Sequence, residues 1–310
     1  MTPSPTPPPR SAIGLVGLGA MGRGVAKNLL QKNFDVVGCD VRAESGQWIE
    51  EQGGTFGKAP CDLASACDAI VSFVVDAAQT EEVLFGPQGL AGVLRPGAVF
   101  IMCSTVSPAY ARDLAPRLAK RGIDLLDAPV TGGAVGAAKG TLTIMASGPR
   151  AAFDRVRPVL EAFGARIYHL GEENGAGAQM KVINQLLCGV HIAAAGEALA
   201  MARRQNLPLE TVHEILCSGA ASSWMLGDRG PRMVKEDFDN VTSAVDIFVK
   251  DLGLVLDAAR DARFAAPLAH AAYLAFLAAS GRGLGRKDDS AVICNYEQSE
   301  TVTPTCSRER

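Results

Sequence analysis

The sequence predicts an α/β protein with a doubly wound parallel sheet, followed by a long helix that leads into an all-helical region. Three observations predict this. Buried-strand and helix patterns alternate from residue 11 to about residue 173. A stretch rich in Ala, Leu and Met with few breakers covers 177–204 and predicts one long helix. Beyond it, to about residue 279, helical patterns are separated by Pro and Gly turns.

The alternating part begins with a short apolar strand over 12–16 and a helical pattern over 25–30. A second strand follows over 34–39. Later apolar runs predict further strands of the same sheet and a helix over 108–121; these strands cover 69–75, 98–103, 123–127, 141–146 and 167–170. Residues 128–133 read as a loop.

A glycine-rich turn joins the first strand to the first helix. Its pattern G-x-G-x-x-G is formed by Gly17, Gly19 and Gly22. In a strand–turn–helix unit the first glycine permits a tight turn, the second lets the backbone approach a pyrophosphate, and the third allows close packing. The free N–H groups and positive end of the helix then hold phosphates. The cofactor-contacting residues predicted in this turn are Gly17, Leu18, Gly19, Ala20 and Met21. The unit predicts a Rossmann-type dinucleotide-binding domain over 11–174.

Asp40 follows the second strand, 18 residues beyond Gly22, close to the ~20 expected of a dinucleotide fold. Its carboxylate can accept hydrogen bonds from both ribose hydroxyls of an adenosine, and it would repel a 2′-phosphate. We therefore expect NAD rather than NADP, with Val41 as a further cofactor contact. Arg42 can reach a phosphate, so the strictness of this preference stays open at the level of sequence.

Composition excludes several classes of protein. The 310-residue chain has 30 Lys plus Arg against 33 Asp plus Glu. Its nearly balanced charge gives no reason to expect a nucleic-acid partner. The apolar stretch nearest to a membrane span, 264–279, contains Pro267 and His270 and is shorter than the ~20 residues required. We expect it to be a helix that is buried within the subunit or at a subunit interface, and we expect no membrane partner. The apolar helices after residue 175 predict a homodimer or homotetramer.

The eight cysteines are scattered and none forms C-x-x-C. Cys39, Cys103 and Cys188 lie in apolar runs, where cysteine usually acts as a small buried hydrophobe. A reducing cytoplasm is the simplest compartment. The four histidines are far apart, so we expect no metal site. The Pro-rich segment 1–10 is expected to be a disordered tail, and 297–310 a flexible one.

Polar residues interrupt the start of the long helix. Lys181, Asn184 and Gln185 are three and four residues apart and therefore share one helical face. One interpretation is a lysine at a domain junction paired to a carboxylate. The other places Lys181 beside a nicotinamide ring. His191 lies roughly 80° away from the direction of Lys181 and is interpreted as a core or interface histidine.

Four motifs together resemble those of the β-hydroxyacid dehydrogenase family, and the resemblance covers about residues 12–296. They are Gly14-x-x-Gly17-x-Gly19-x-Met21-Gly22, the run Asp127-Ala128-Pro129-Val130-Thr131-Gly132-Gly133, Gly177-x-x-x-Lys181-x-x-Asn184-Gln185, and Lys250-Asp251-Leu252. The resemblance implies an NAD-dependent dehydrogenase of small hydroxy acids. It also implies a cofactor domain over 11–174 and a helical substrate and oligomerisation domain over 175–296.

The resemblance implies a role for each motif. Lys181 is the catalytic residue, which hydrogen-bonds the reacting hydroxyl and handles its proton. The expected substrate-binding residues are Thr131, Gly132 and Gly133 at the carboxylate, Asn184 and Gln185 beside the lysine, and Ser223 and Trp224 as further donors. Lys250 is a cofactor-binding residue and a second cation that lowers the pKa of Lys181. Val74, Val75 and Thr105 are expected along the nicotinamide side of the cofactor crevice.

Five further stretches carry a finer resemblance, 75–79, 189–194, 223–225, 245–255 and 287–293. They are most similar to family members that oxidise L-threonate at its 2-hydroxyl to 2-oxo-tetronate (2-dehydro-L-erythronate). Oxidation of 3-hydroxyisobutyrate and reduction of tartronate semialdehyde are the alternatives within the family. A non-catalytic NAD-binding protein is the alternative of a different class, and Lys181 speaks against it. Two interpretations fit Asp288, Asp289 and Ser290: closure of the active site, or the cap of a helix.

Overall fold

The structure is a computed structural model that describes residues 12–297. The predicted tails, 1–10 and 297–310, lie outside these residues except for Glu297. The chain forms two compact units, the first ending at Asn184 and the second beginning at Gln185. This division falls inside the long helix, ten residues after the boundary predicted at 174/175, which stays a prediction.

The first unit is built on a six-stranded parallel sheet. Its strands are β1 (Ala12–Val16), β2 (Val36–Cys39), β3 (Thr55–Phe56), β4 (Cys67–Ser72), β5 (Val99–Met102) and β6 (Asp124–Asp127). Their order is β3-β2-β1-β4-β5-β6, so the strand order reverses between β1 and β4. Crevices at such reversals are where open α/β sheets bind ligands. The predicted doubly wound fold is confirmed.

Within the described residues, six α-helices accompany the strands of the first unit, and capping side chains fix where two of them begin. They are α1 (Ala20–Gln31), α2 (Glu44–Glu51), α3 (Ala77–Phe85), α4 (Pro108–Ala119), α5 (Gly133–Lys139) and α6 (Arg150–Phe163). Asp76 begins α3 by accepting a hydrogen bond from the amide of Gln79 at 2.8 Å. Ser107 begins α4 in the same way, and Pro108 occupies the first helical position.

A second, three-stranded sheet differs from the sequence-based expectation. It contains β7 (Val130–Thr131), β8 (Leu142–Ala146) and β9 (Gly164–His169), with β7 antiparallel to β8 and β8 parallel to β9. The predicted strands 141–146 and 167–170 therefore do not extend the main sheet. The chain leaves that sheet after β6, where Pro129 has no N–H to continue a ladder. The predicted loop 128–133 is partly wrong, because it contains β7 and the first residue of α5.

The remaining helices confirm the predicted helical region. The long helix α7 (Ala176–Arg204) is followed by α8 (Leu209–Ser218), α9 (Trp224–Lys235), α10 (Val245–Asp261) and α11 (Pro267–Ala279), with a short 3₁₀ segment over Asp289–Tyr296. The core of the second unit includes Phe248 and Phe276, whose rings stack 5.0 Å apart. In the first unit Cys39 and Cys103 are buried as predicted, whereas Cys188 on α7 is only half-buried.

Helix α7 is long and apolar enough to cross a membrane, judged by length and composition alone, with a mean hydropathy of 1.4 over its most apolar window. The stretch 264–279, which the sequence predicts to be nearest to a span, contains the shorter α11. In the structure, 44% of the α7 window is buried within the protein. Core helices of soluble proteins pass the same test, so one such helix is weak evidence for a membrane.

Candidate active site

The glycine turn after β1 is shaped by two close backbone approaches. Gly17 has φ +89°, and a Cβ there would lie 2.9 Å from the carbonyl oxygen of Phe73. A Cβ on Gly22 would lie 1.8 Å from the carbonyl oxygen of Gly17. Neither position accepts a side chain, because real Cβ atoms do not approach other atoms so closely.

Gly19 is different, because the space beside it is open. The nearest atom that its Cβ would meet is the Arg42 guanidinium nitrogen at 3.9 Å. Gly19 is the residue before α1, and no described side chain caps the helix there. The amide groups of the first turn, which includes Ala20 and Met21, therefore have room in front of them for an anion. These residues fit the pyrophosphate of a dinucleotide.

Asp40 lies at the end of β2, with its side chain facing the glycine turn. Its carboxylate accepts a hydrogen bond from the amide of Leu18 at 2.6 Å and pairs with Arg42 at 2.9 Å. Burial raises the pKa of Asp40, but the hydrogen bonds from Arg42 and Leu18 outweigh burial and hold that pKa below its usual value. Val41 beside it is fully exposed, at 103%. An ionised acceptor flanked by an exposed apolar side chain suits the adenosine part of a dinucleotide.

The other predicted cofactor contacts of this unit lie at the carboxyl ends of neighbouring strands. Val74 and Val75 follow β4, and Thr105 follows β5. The amide of Val75 donates to Oε1 of Gln79 at 2.9 Å, while its side chain is 41% exposed. These residues and the glycine turn thus lie at the same edge of the sheet.

Lys181, in the second turn of α7, reaches the three-stranded sheet. Its Nζ donates to the carbonyl oxygen of Val130 at 2.8 Å. The next residues after Val130 are Thr131, Gly132 with φ +124° and Gly133 with φ +61°. Only glycine adopts such a pair of positive φ values readily. The structure therefore brings the predicted catalytic lysine next to the predicted carboxylate-binding turn.

Asp127, at the end of β6, has a role that its position in the sequence does not reveal. One of its carboxylate oxygens accepts from the amides of Gly175 and Ala178, at 3.1 and 2.8 Å, and from the hydroxyl of Ser147 at 3.2 Å. The same hydroxyl accepts from the amide of Gly177 at 3.0 Å. Asp127 and Ser147 therefore cap the start of α7, which is where Lys181 is carried. Burial raises the pKa of Asp127 to about 6, although these hydrogen bonds act in the opposite direction.

We expect the pKa of Asp127 to make stability depend on pH. Between the ordinary value of 3.8 and the folded value of about 6, the folded protein keeps a proton that the unfolded chain has lost. The contribution of Asp127 to stability is therefore complete at low pH and is lost as pH rises through this window, by about 3 kcal/mol. Chemical denaturation of wild type and Asp127→Asn on both sides of the window measures this difference. A difference in unfolding free energy that does not vary with pH contradicts the prediction, and exposed Asp35→Asn is the matched control.

In the second unit, Gln185 and Lys250 meet at a buried carboxylate that the sequence analysis also passed over. Nε2 of Gln185 donates to Asp251 at 2.5 Å, and Nζ of Lys250 pairs with the other oxygen of Asp251 at 2.7 Å. Asp251 is 2% exposed. Because a carboxylate only accepts, it fixes the direction of the Gln185 amide and the position of the Lys250 ammonium.

Ser223 and Trp224 lie at the start of α9. The Ser223 hydroxyl caps the helix by accepting from the amide of Leu226 at 3.0 Å, and Trp224 is 55% exposed. Asp288 caps the 3₁₀ segment by accepting from the amide of Ser290 at 3.2 Å, and Asp289 forms a buried ion pair with Arg229 at 2.7 Å. The capping interpretation is thus confirmed for Asp288. Within residues 12–297, no group of three or more His, Cys, Asp or Glu side chains is arranged to hold a metal.

A glycine turn that fits a dinucleotide, together with a lysine beside a turn of two positive-φ glycines, indicates the class of protein, a nicotinamide-dependent dehydrogenase. Residues 12–171 match the model described as the NAD-binding domain of 6-phosphogluconate dehydrogenase. Residues 175–296 match the model described as NAD-binding of NADP-dependent 3-hydroxyisobutyrate dehydrogenase. The chain belongs to the β-hydroxyacid dehydrogenase family, and NAD is its cofactor.

Individual relatives match over most of their length. An L-threonate dehydrogenase of Cupriavidus necator is 48% identical over 281 residues, which cover 91% of this chain and 94% of that protein. An L-threonate dehydrogenase of Escherichia coli K12 is 44% identical over 283 residues, which cover 91% of this chain and 93% of that protein. The crystal structure of a 3-hydroxyisobutyrate dehydrogenase from Salmonella typhimurium gives a TM-score of 0.88 at 43% identity, covering 92% of this chain and 99% of that one.

Proposed function

We propose that this protein oxidises L-threonate at its 2-hydroxyl to 2-oxo-tetronate, with NAD as the oxidant. The observation that supports the proposed chemistry is the contact between Lys181 and Val130, because Nζ of Lys181 lies beside the residue that precedes Thr131. The substrate is supported by the identity of 48% and 44% with two L-threonate dehydrogenases.

Each group near Lys181 has a task in this proposal. The hydroxyl of Thr131 and the amides of Gly132 and Gly133 bind the substrate carboxylate. Lys181, when neutral, accepts the proton of the 2-hydroxyl, while its N–H donor to Val130 keeps Nζ in place. Bound NAD supplies the acceptor for the hydride that leaves C2, the carbon that carries this hydroxyl. The proton and the hydride therefore leave the substrate separately, and Lys181 holds the proton.

The remaining predicted site residues keep proposed roles. Asn184, one turn beyond Lys181, binds the substrate or orients the lysine. Gln185 and Lys250 are held by Asp251, and we assign Gln185 to the substrate and Lys250 to the cofactor. Ser223 and Trp224 are proposed as polar contacts for the additional hydroxyls of a four-carbon sugar acid.

The rival substrates are 3-hydroxyisobutyrate and tartronate semialdehyde. The similar Salmonella typhimurium structure is named as a 3-hydroxyisobutyrate dehydrogenase. NADH absorbance measured with purified protein and NAD distinguishes them, using L-threonate, D-erythronate, D-glycerate, 3-hydroxyisobutyrate and 4-hydroxybutyrate. Reduction of tartronate semialdehyde is followed in the reverse direction. Turnover confined to L-threonate supports the proposal, and preference for another acid contradicts the substrate but retains the mechanism. NAD binding without turnover of any acid restores the non-catalytic alternative.

We expect Asp40→Asn to weaken the preference for NAD over NADP. Asn keeps an oxygen for the amide of Leu18 but loses the charge that repels a 2′-phosphate and pairs with Arg42. The ratio of kcat/KM with NADP to kcat/KM with NAD should rise roughly tenfold, equivalent to about 1.4 kcal/mol. Adding Arg42→Ala should remove this gain, since the released guanidinium is the group that would bind the phosphate. An unchanged ratio in Asp40→Asn contradicts the assignment.

We also propose a homodimer or homotetramer in the cytoplasm. The second unit leaves apolar side chains of α11 exposed, with Leu268 at 68%, Leu274 at 50% and Leu277 at 42%. Large apolar side chains exposed together on one helix are a feature of subunit interfaces. Sedimentation of the purified protein measures the assembly.

A further inference from the structure

Helices α1 and α5 touch through their backbones. A Cβ on Gly24 of α1 would lie 2.7 Å from the carbonyl carbon of Ala137 and from the amide nitrogen of Ala138. Gly24 is therefore the residue that lets α5 lie directly on α1. The approach is closer than any pair of side chains would allow.

Asn28, one turn further along α1, ties the two helices together. Its Nδ2 donates to the carbonyl oxygens of Gly24 and Ala137, both at 2.8 Å, and to that of Ala138 at 3.3 Å. These carbonyls of α5 belong to its last turn, where the helix has no further amides of its own to offer. The Ala137 carbonyl also accepts from the amide of Gly140, the residue after α5, at 3.4 Å. One carboxamide thus adds hydrogen bonds to the end of α5 from a residue more than a hundred positions away in the sequence.

The two helices are anchored unequally. Val25, Ala26 and Leu29 of α1 are 0% exposed and belong to the main core. Helix α5 has seven residues, of which only Gly136 and Ala137 are buried. Because α1 is fixed by the core, its contacts decide where α5 lies.

We propose that Gly24 and Asn28 are positioning residues that hold the turn Thr131–Gly133 at a set distance from the pyrophosphate-binding end of α1. This inference rests on the proposed function, which assigns the substrate carboxylate to that turn. Helix α5 begins at Gly133, so a displacement of α5 moves the turn directly. The same α1 that receives the cofactor at its first turn thereby fixes the substrate at its second and third turns.

Two substitutions act on this contact by different chemistry. Asn28→Asp replaces a donor by a carboxylate that faces three carbonyl oxygens, and Gly24→Ala inserts a methyl group where the backbones meet. Both displace α5 but leave the glycine turn and its amides unchanged. A misplacement of about 1 Å can reduce catalysis ~100-fold. We expect kcat/KM for the hydroxy acid to fall on this scale, mainly through KM.

The experiment measures kcat and KM for the hydroxy acid, the Kd for NADH and the thermal midpoint of each variant in the full-length protein. The expected result is a large rise in KM with a Kd for NADH within about twofold of wild type, a difference in binding free energy of less than about 0.5 kcal/mol. Asn28→Ser keeps a short donor and should give an intermediate KM, which also covers the case in which Asn28→Asp does not fold. Gln31→Ala, an exposed change on the same helix, is the control.

An unchanged KM in both Gly24→Ala and Asn28→Asp overturns the inference. A Kd for NADH that weakens in parallel with KM also overturns it, because the effect would then be one on α1 as a whole. A wild-type protein that oxidises none of the hydroxy acids overturns the proposed function, and this inference with it. If wild type turns over a hydroxy acid and the variants are unaffected, this inference fails while the proposed function stands.

Discussion

Replacing Lys181 by Ala is expected to reduce kcat at least ~100-fold, the scale for loss of a positioned acid–base group. The affinity for NADH should stay near that of wild type, because the glycine turn and Asp40 are unaffected. Lys181 holds its place through the carbonyl of Val130, and nothing in this contact depends on the cofactor. Stopped-flow absorbance for the hydride step and fluorescence titration with NADH measure the two quantities.

A second lysine variant separates proton transfer from simple charge. Lys181→Arg keeps a cation that can donate to Val130, but a guanidinium does not lose its proton in a protein. It should therefore be nearly as slow as Lys181→Ala. Lys139→Ala, which removes an exposed lysine from the end of α5, should behave as wild type. Near-full activity in Lys181→Ala would remove Lys181 from the mechanism.

Gly19→Ala is expected to weaken NADH binding by roughly tenfold to 100-fold without changing the thermal midpoint. The open space beside Gly19 accepts a methyl group, whose nearest neighbour would be Arg42 at 3.9 Å. That same space is where a pyrophosphate must approach the first turn of α1. Overpacking of a close contact costs about 1–3 kcal/mol. A loss of this size in binding free energy corresponds to the roughly tenfold to 100-fold weakening of NADH affinity.

Gly22→Ala is the matched comparison, because its Cβ would lie 1.8 Å from a carbonyl oxygen within the protein itself. This variant should lose both thermal stability and NADH affinity. Isothermal titration and thermal unfolding of the two variants give four values that must follow this pattern. Equal NADH affinity in Gly19→Ala and wild type would show that the pyrophosphate does not approach Gly19.

The sequence was sufficient for the main sheet because parallel strands are buried on both faces and appear as continuous apolar runs. Val99–Met102 is such a run, with every residue at most 2% exposed. The three-stranded sheet was not separated from the main one, because strands 142–146 and 164–169 have no signal that states their partner. Pro129 was the available indication that the chain leaves the ladder after β6.

The site was predicted in part, for a related reason. The roles predicted for Asp40 and Gly19 come from a local motif, and in the structure both lie beside the glycine turn before α1. The roles of Asp127 and Asp251 depend on partners 48 and 66 residues away, so spacing could not disclose them. The partner of Lys181 at Val130 is a backbone carbonyl, which carries no side-chain signature.

The segment 127–133 has a consequence for protein engineering. Asp127 caps α7, Val130 receives Lys181 through its carbonyl, and the turn follows at once. Most of these tasks are performed by main-chain atoms, so they survive many changes of side chain but no change in length. A designer seeking a new substrate should therefore vary the side chain of Thr131 and avoid insertions or deletions here. Any loop graft across this segment would alter the scaffold and the chemistry together.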